Sequence, residues 1–153
     1  MSDTGELACS FSVPGPPVPK ARPRVFWDVR YHRYRAVSTH QTSEAERRIA
    51  EHFWVRYPRL KPLKCRLKIV LRFYVPHYRR VDADNLEKKV KDALNGHAYV
   101  DDSQIDETHV SVARGQTDPR TEVEIWVLPT APLSAEPSSP SSLPRARPHK
   151  PGK

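Results

Sequence analysis

CRLKIVLRFYVPHYRRVDADNLEKKVKDALNG, residues 65–96, changes its apolar period from two to about 3.6 within a single run. Cys65, Leu67, Ile69, Leu71 and Phe73 alternate with Arg66, Lys68, Arg72 and Tyr74, with Val70 the exception, so 65–75 reads as a strand with one buried face. Beyond the turn at Pro76, the segment 84–96 carries Leu86, Val90, Ala93 and Leu94 on one helical face. Gly96 stands where a left-handed terminating residue belongs.

Downstream, THVSVARG (108–115) and EVEIWVL (122–128) alternate again and are joined by a turn containing Pro119. Upstream, CSFSV (9–13) reads as an opening strand through Phe11 and Val13. It stops at PGPPVPKARPR (14–24), whose five prolines forbid regular pairing. RVFWDV (24–29) and RYHRYRAV (30–37) suggest a hairpin or irregular ribbon rich in Arg and Tyr. SEAERRIAEHFWVRY (43–57) has helical spacing, with Thr42 or Ser43 as its expected cap and Ile49, Phe53 and Trp54 toward the core. The order of elements predicts an α+β domain with two helices on a small mixed or antiparallel sheet.

The chain has 153 residues and a mean hydropathy of −0.71, one domain's length with less apolar content than a uniform globule needs. Residues 129–153 hold seven of the sixteen prolines, five serines and no aromatic ring. That composition predicts a disordered tail behind a domain spanning 1–128. No run approaches the roughly 20 apolar residues that cross a bilayer, and the first ten residues lack signal-peptide order. The expectation is a soluble, intracellular protein of the cytoplasm. Cys9 and Cys65 are too few and too distant for a disulfide framework or a zinc site, and read as strand residues.

Charge is unevenly distributed. Residues 1–81 carry 17 Lys or Arg against 6 Asp or Glu, a balance of +11, whereas 82–108 carry 8 acids against 3 lysines, a balance of −5. Basic surface suits a phosphate backbone, and carboxylates repel it unless a divalent cation stands between them. Asp82 and Asp84, before the 84–96 helix, and Asp101 and Asp102, after it, concentrate that acidity.

Each of these acids has a plain alternative. Asp84 would serve as a helix cap with Glu87 completing a capping box, Asp84, Lys88 and Asp92 would form a surface ladder, and Asp101 and Asp102 would occupy an ordinary turn. A calcium loop is excluded, because the sixth position from Asp82 is Glu87 and the twelfth is Ala93. Both pairs flank one short helix, and a returning loop that brought them together at about 5 Å would cost roughly 3 kcal/mol per pair without a cation. Oxygen ligands with no Cys or His cluster favour Mg²⁺ or Mn²⁺, which activate water and stabilise the leaving oxygen in phosphodiester hydrolysis.

FSVPGPPVPKARPRV, RRVDADNLEKKVKDALNGHAYVDDSQI, a PR turn and the final EVEIWV strand together resemble the RusA family of Holliday-junction resolvases of bacteria, prophages and phages, over about residues 10–128. The resemblance implies a small homodimeric, Mg²⁺-dependent endonuclease that nicks opposing strands of a four-way DNA junction. It puts the metal-binding and catalytic acids at Asp82, Asp84 and Asp102, the functional lysine at Lys88, and a supporting or second-metal role at Asp101.

Lys88 would polarise a phosphate or position water, while Lys89 and Lys91 point to other faces, solvated or against DNA. Lys20, Arg22 and Arg24 in the proline-stiffened loop, with Arg79 and Arg80, are the candidate phosphate contacts. Trp27, Tyr31 and Tyr34 have two readings, stacking on unpaired bases or packing on the sheet. His77 and His97 read as surface residues. A nuclease of wider choice among branched and flap substrates, and a DNA-binding module without catalysis, are the alternatives; Asp82→Asn and Asp102→Asn separate the last from the enzymes.

Overall fold

The computed structural model describes residues 5–19, 24–37 and 40–129. Lys20, Arg22, the side chain of Arg24 and the expected disordered tail lie outside the described residues. The chain forms β1 (Glu6–Pro14), β2 (Arg24–Asp28), β3 (Arg33–Val37), α1 (His40–Arg56), β4 (Leu67–Tyr74), α2 (Ala83–Leu94), β5 (Ile105–Ala113) and β6 (Arg120–Val127). A four-stranded sheet has the order β1-β6-β4-β5, and β2 pairs with β3 in a separate two-stranded ribbon. The fold is α+β, as its alternating periods predict.

β4 lies between β6, antiparallel to it, and β5, parallel to it. Leu67, Ile69 and Leu71 are fully buried and Phe73 nearly so, each contributing about 1.5–3 kcal/mol by leaving water. α1 and α2 cover this face with Ile49 and Phe53 from one helix and Leu86, Val90, Ala93 and Leu94 from the other. Phe53 meets Phe11 of β1 edge to face, with ring centres 5.8 Å apart. The opposite face is held by cross-strand polar pairs, including Arg72 to Glu124 at 2.7 Å and the Tyr74 hydroxyl donating to Glu122 at 3.2 Å.

Several boundaries move. β1 begins at Glu6, ahead of the expected CSFSV, with an irregularity between Leu7 and Cys9. Pro14 closes its ladder, and Gly15 turns the chain at φ +100° while donating its N–H to the Pro119 carbonyl at 3.0 Å. α1 starts at His40, upstream of Thr42 and Ser43, so neither is its cap. Trp54 remains 38% exposed instead of joining the core; its ring leans on Phe53 and its Nε1–H donates to His97 Nδ1 at 3.1 Å. β5 starts at Ile105 rather than 108, because its pairing with β4 opens at Leu67 opposite Ile105. Among the described residues, no helix is long and apolar enough to cross a membrane.

Candidate active site

α2 begins where the sequence places a cluster of carboxylates and cations. Asp82, rather than Asp84, is the cap: its carboxylate accepts from the Asn85 backbone N–H at 3.3 Å and from Asn85 Nδ2 at 2.8 Å. Asp84 sits in the first turn, exposed, where the helix dipole favours negative charge. Lys88, one turn further, is exposed and is engaged by none of the described ion pairs. Arg79 and Arg80 are exposed immediately before the acids. A recess beside them is lined by Pro17, Pro19, Val75, His77, Arg80 and Asp82, so the proline-rich loop forms one wall of the approach to α2.

The second carboxylate pair lies elsewhere. Asp101 caps a single 3-10 turn (Asp102–Gln104), accepting from the backbone N–H and the hydroxyl of Ser103. Hydrogen bonds, the Ser103 hydroxyl's first among them, hold the Asp101 carboxyl below the usual range. Gln104 completes the capping box by accepting from the Asp101 N–H at 2.9 Å. Its Nε2 donates to the carbonyls of Leu63 at 2.8 Å and Cys65 at 3.0 Å. Asp102 is exposed at the start of this turn.

Asp101 and Asp102 therefore stand at the entry to β4, whereas Asp82 and Asp84 follow its exit. The cause is the parallel pairing of β4 with β5, which obliges α2 to carry the chain back along the sheet. Twelve helical residues span about 18 Å, and the two pairs are at opposite ends of that span. The return loop expected to gather them does not do so within one chain. Among the described residues, no three His, Cys, Asp or Glu side chains lie close enough together to hold a metal ion. Among the described residues of one chain, these acids stand as two separate carboxylate pairs and not as one cluster.

Lys89 is not solvated; it is 2% exposed, and its Nζ donates to the Pro19 carbonyl at 3.1 Å. It stands three residues after Leu86 and four before Ala93, inside the apolar stripe, which is the signal that would have revealed its burial. Lys91 is likewise held within the protein, bridging Glu87 at 2.6 Å and the Thr108 hydroxyl at 2.9 Å. The two lysines fasten α2 to the proline loop on one side and to β5 on the other. Tyr99 is fully buried below the exit of α2, its hydroxyl donating to the Lys91 carbonyl at 2.7 Å. Burial, together with the charges of Asp102, Asp92 and Asp101, pushes its phenol well up, so it stays neutral. His77 is exposed at the recess, while His97 is tied to Trp54.

No curated protein matches the chain. The sequence profile of a known family, Endodeoxyribonuclease RusA, matches residues 14–126. The match runs from the last residue of β1 to the penultimate residue of β6 and takes in both carboxylate pairs, and the chain belongs to the RusA family of endodeoxyribonucleases.

Proposed function

We propose that this endonuclease resolves four-way DNA junctions by paired nicks, using Mg²⁺, or Mn²⁺ in its place, in a pocket that two copies of the chain build together. The observation that carries the proposal is the placement of two exposed carboxylate pairs at opposite ends of α2. One chain offers two half-sites. A two-fold pairing that set the α2 entry of one copy against the β5 entry of the other would complete two equivalent pockets at once. Two pockets are what paired nicking requires.

In this arrangement Asp82 and Asp84 supply one side of each pocket, and Asp102, supported by Asp101, supplies the other. Oxygen donors of this kind suit a hard dication. Lys88, on the exposed face of α2, stands ready for the phosphate being cut. Arg79 and Arg80, with Lys20, Arg22 and, at the start of β2, Arg24, bind the flanking backbone and fix its register.

The purified chain should be offered a labelled four-way junction beside linear duplex and flap DNA, with and without Mg²⁺. Symmetric nicks confined to the junction and dependent on the metal are expected. Equal cutting of flaps would replace resolution with a broader branched-DNA nuclease, and binding without cutting would leave a DNA-binding module.

A further inference from the structure

The β2–β3 ribbon takes no part in the hydrophobic core: among the described residues, none of 24–37 belongs to it. A free two-stranded hairpin is marginal in water, and this one keeps several large apolar side chains in solvent. Register sorts them. Val25 faces Ala36 and Trp27 faces Tyr34 across the strands, so these four share one side of the ribbon. Val25 is 64% exposed, Trp27 48% and Tyr34 73%. Trp27 and Tyr34 meet edge to face with ring centres 5.0 Å apart, which sets both rings without covering them.

The other side and the tip carry arginines beside the exposed side chains of Phe26, Val29 and Tyr31. Arg33 and Arg35 approach the Tyr31 ring, with their guanidinium carbons 5.4 and 5.9 Å from its centre, and Arg35 pairs with Asp28 at 3.1 Å. Residues 24–37 hold four arginines against the single acid Asp28. A polyanion with accessible base faces satisfies both sides.

We propose that the β2–β3 ribbon is a junction-reading arm whose Trp27 and Tyr34 rings stack on bases unpaired at a DNA branch point while its arginines follow the adjoining backbone. The choice of branched DNA rests on the nuclease function proposed above. Within one chain, their exposure sets aside the alternative that Trp27 and Tyr34 pack on the sheet. Stacking would give the arm a preference for branched over linear DNA, because a continuous duplex presents no free base face.

The test measures binding in EDTA, where no cutting occurs, of the full chain and its Trp27→Ala/Tyr34→Ala variant to a four-way junction and to linear duplex. Loss of the rings should weaken junction binding by about fivefold to a hundredfold, the range for base stacking on aromatic side chains, and change duplex binding less than about twofold. 2-Aminopurine placed at the branch point should change fluorescence with the wild-type chain and not with the variant. Trp27→Leu keeps apolar bulk without a stacking face, so it should weaken junction binding in a folded chain, and Trp27→Phe should restore most of it. Equal weakening on both DNAs, no weakening, or a shift of the variant to a smaller species in sedimentation would overturn the proposal, the last outcome assigning the face to protein contact. A wild-type chain that bound junctions through these rings yet cut nothing with Mg²⁺ would remove the nuclease function and leave the arm standing.

Discussion

In the proposed pocket Asp82 would have two duties, which one substitution confounds and two separate. As the cap of α2 it satisfies the Asn85 backbone N–H. Asn caps helices about as well as Asp, whereas Ala costs about 1 kcal/mol. Asp82→Asn should therefore melt close to the wild type and Asp82→Ala measurably below it. Both should lose junction nicking by more than the roughly hundredfold that removal of a ligand's supporting partner can cost. Thermal melts and single-turnover nicking rates check the two effects independently. Retained nicking in the Asn variant would reduce Asp82 to a cap.

Cys9 makes a different residue-scale prediction. Burial pushes its thiol from 9.0 up to about 11. The unfolded chain then releases this proton at lower pH than the folded chain, so the folded state binds more protons between those values. Stability is fully present below pH 9 and falls as pH rises toward 11. Urea unfolding at pH 8 and pH 10 should show this decline, and Cys9→Val should reduce its slope.

Among the elements, the short turn before β5 is tied to its neighbour by the side chain of Gln104. Gln104 bonds the Leu63 and Cys65 carbonyls and receives the Asp101 N–H, tying the β5 entry to the β4 entry. Gln104→Ala should cost about 1–3 kcal/mol in urea unfolding, since partly buried carbonyls lose their donor. It should also speed amide exchange across residues 101–105, and with it loosen the placement of Asp102. Stability lost without faster local exchange would mean that other contacts hold the turn. β4 needed no such help to be recognised, because its buried and outward residues alternate as its sequence does. α2 was equally plain in its apolar stripe, apart from Lys89, whose charge hid its burial.

At the scale of the whole molecule, the separation of the carboxylate pairs yields the sharpest prediction. Asp84→Asn and Asp102→Asn should each abolish nicking when tested alone. If two copies share each pocket, a mixed pair collects both substitutions in one pocket and leaves the other intact. Mixing the two inactive proteins should then restore nicking of one strand per junction, to at most about a quarter of the wild-type rate for randomly exchanged two-fold pairs. Pockets confined to one chain would each retain a defect, and the mixture would remain inactive.

Local order in this protein was written in the sequence: the period of β4, the apolar face and glycine stop of α2, and the contrast between a basic first half and an acidic middle. These depend on neighbours a few residues apart, and side-chain chemistry sets them directly. The partner of β5 was not written there, since an alternating strand pairs equally well in either direction. Only the assembled sheet made that pairing parallel. A parallel neighbour sends the chain back to the edge where its first strand began, which is why acids so close in sequence finish at opposite ends of the fold.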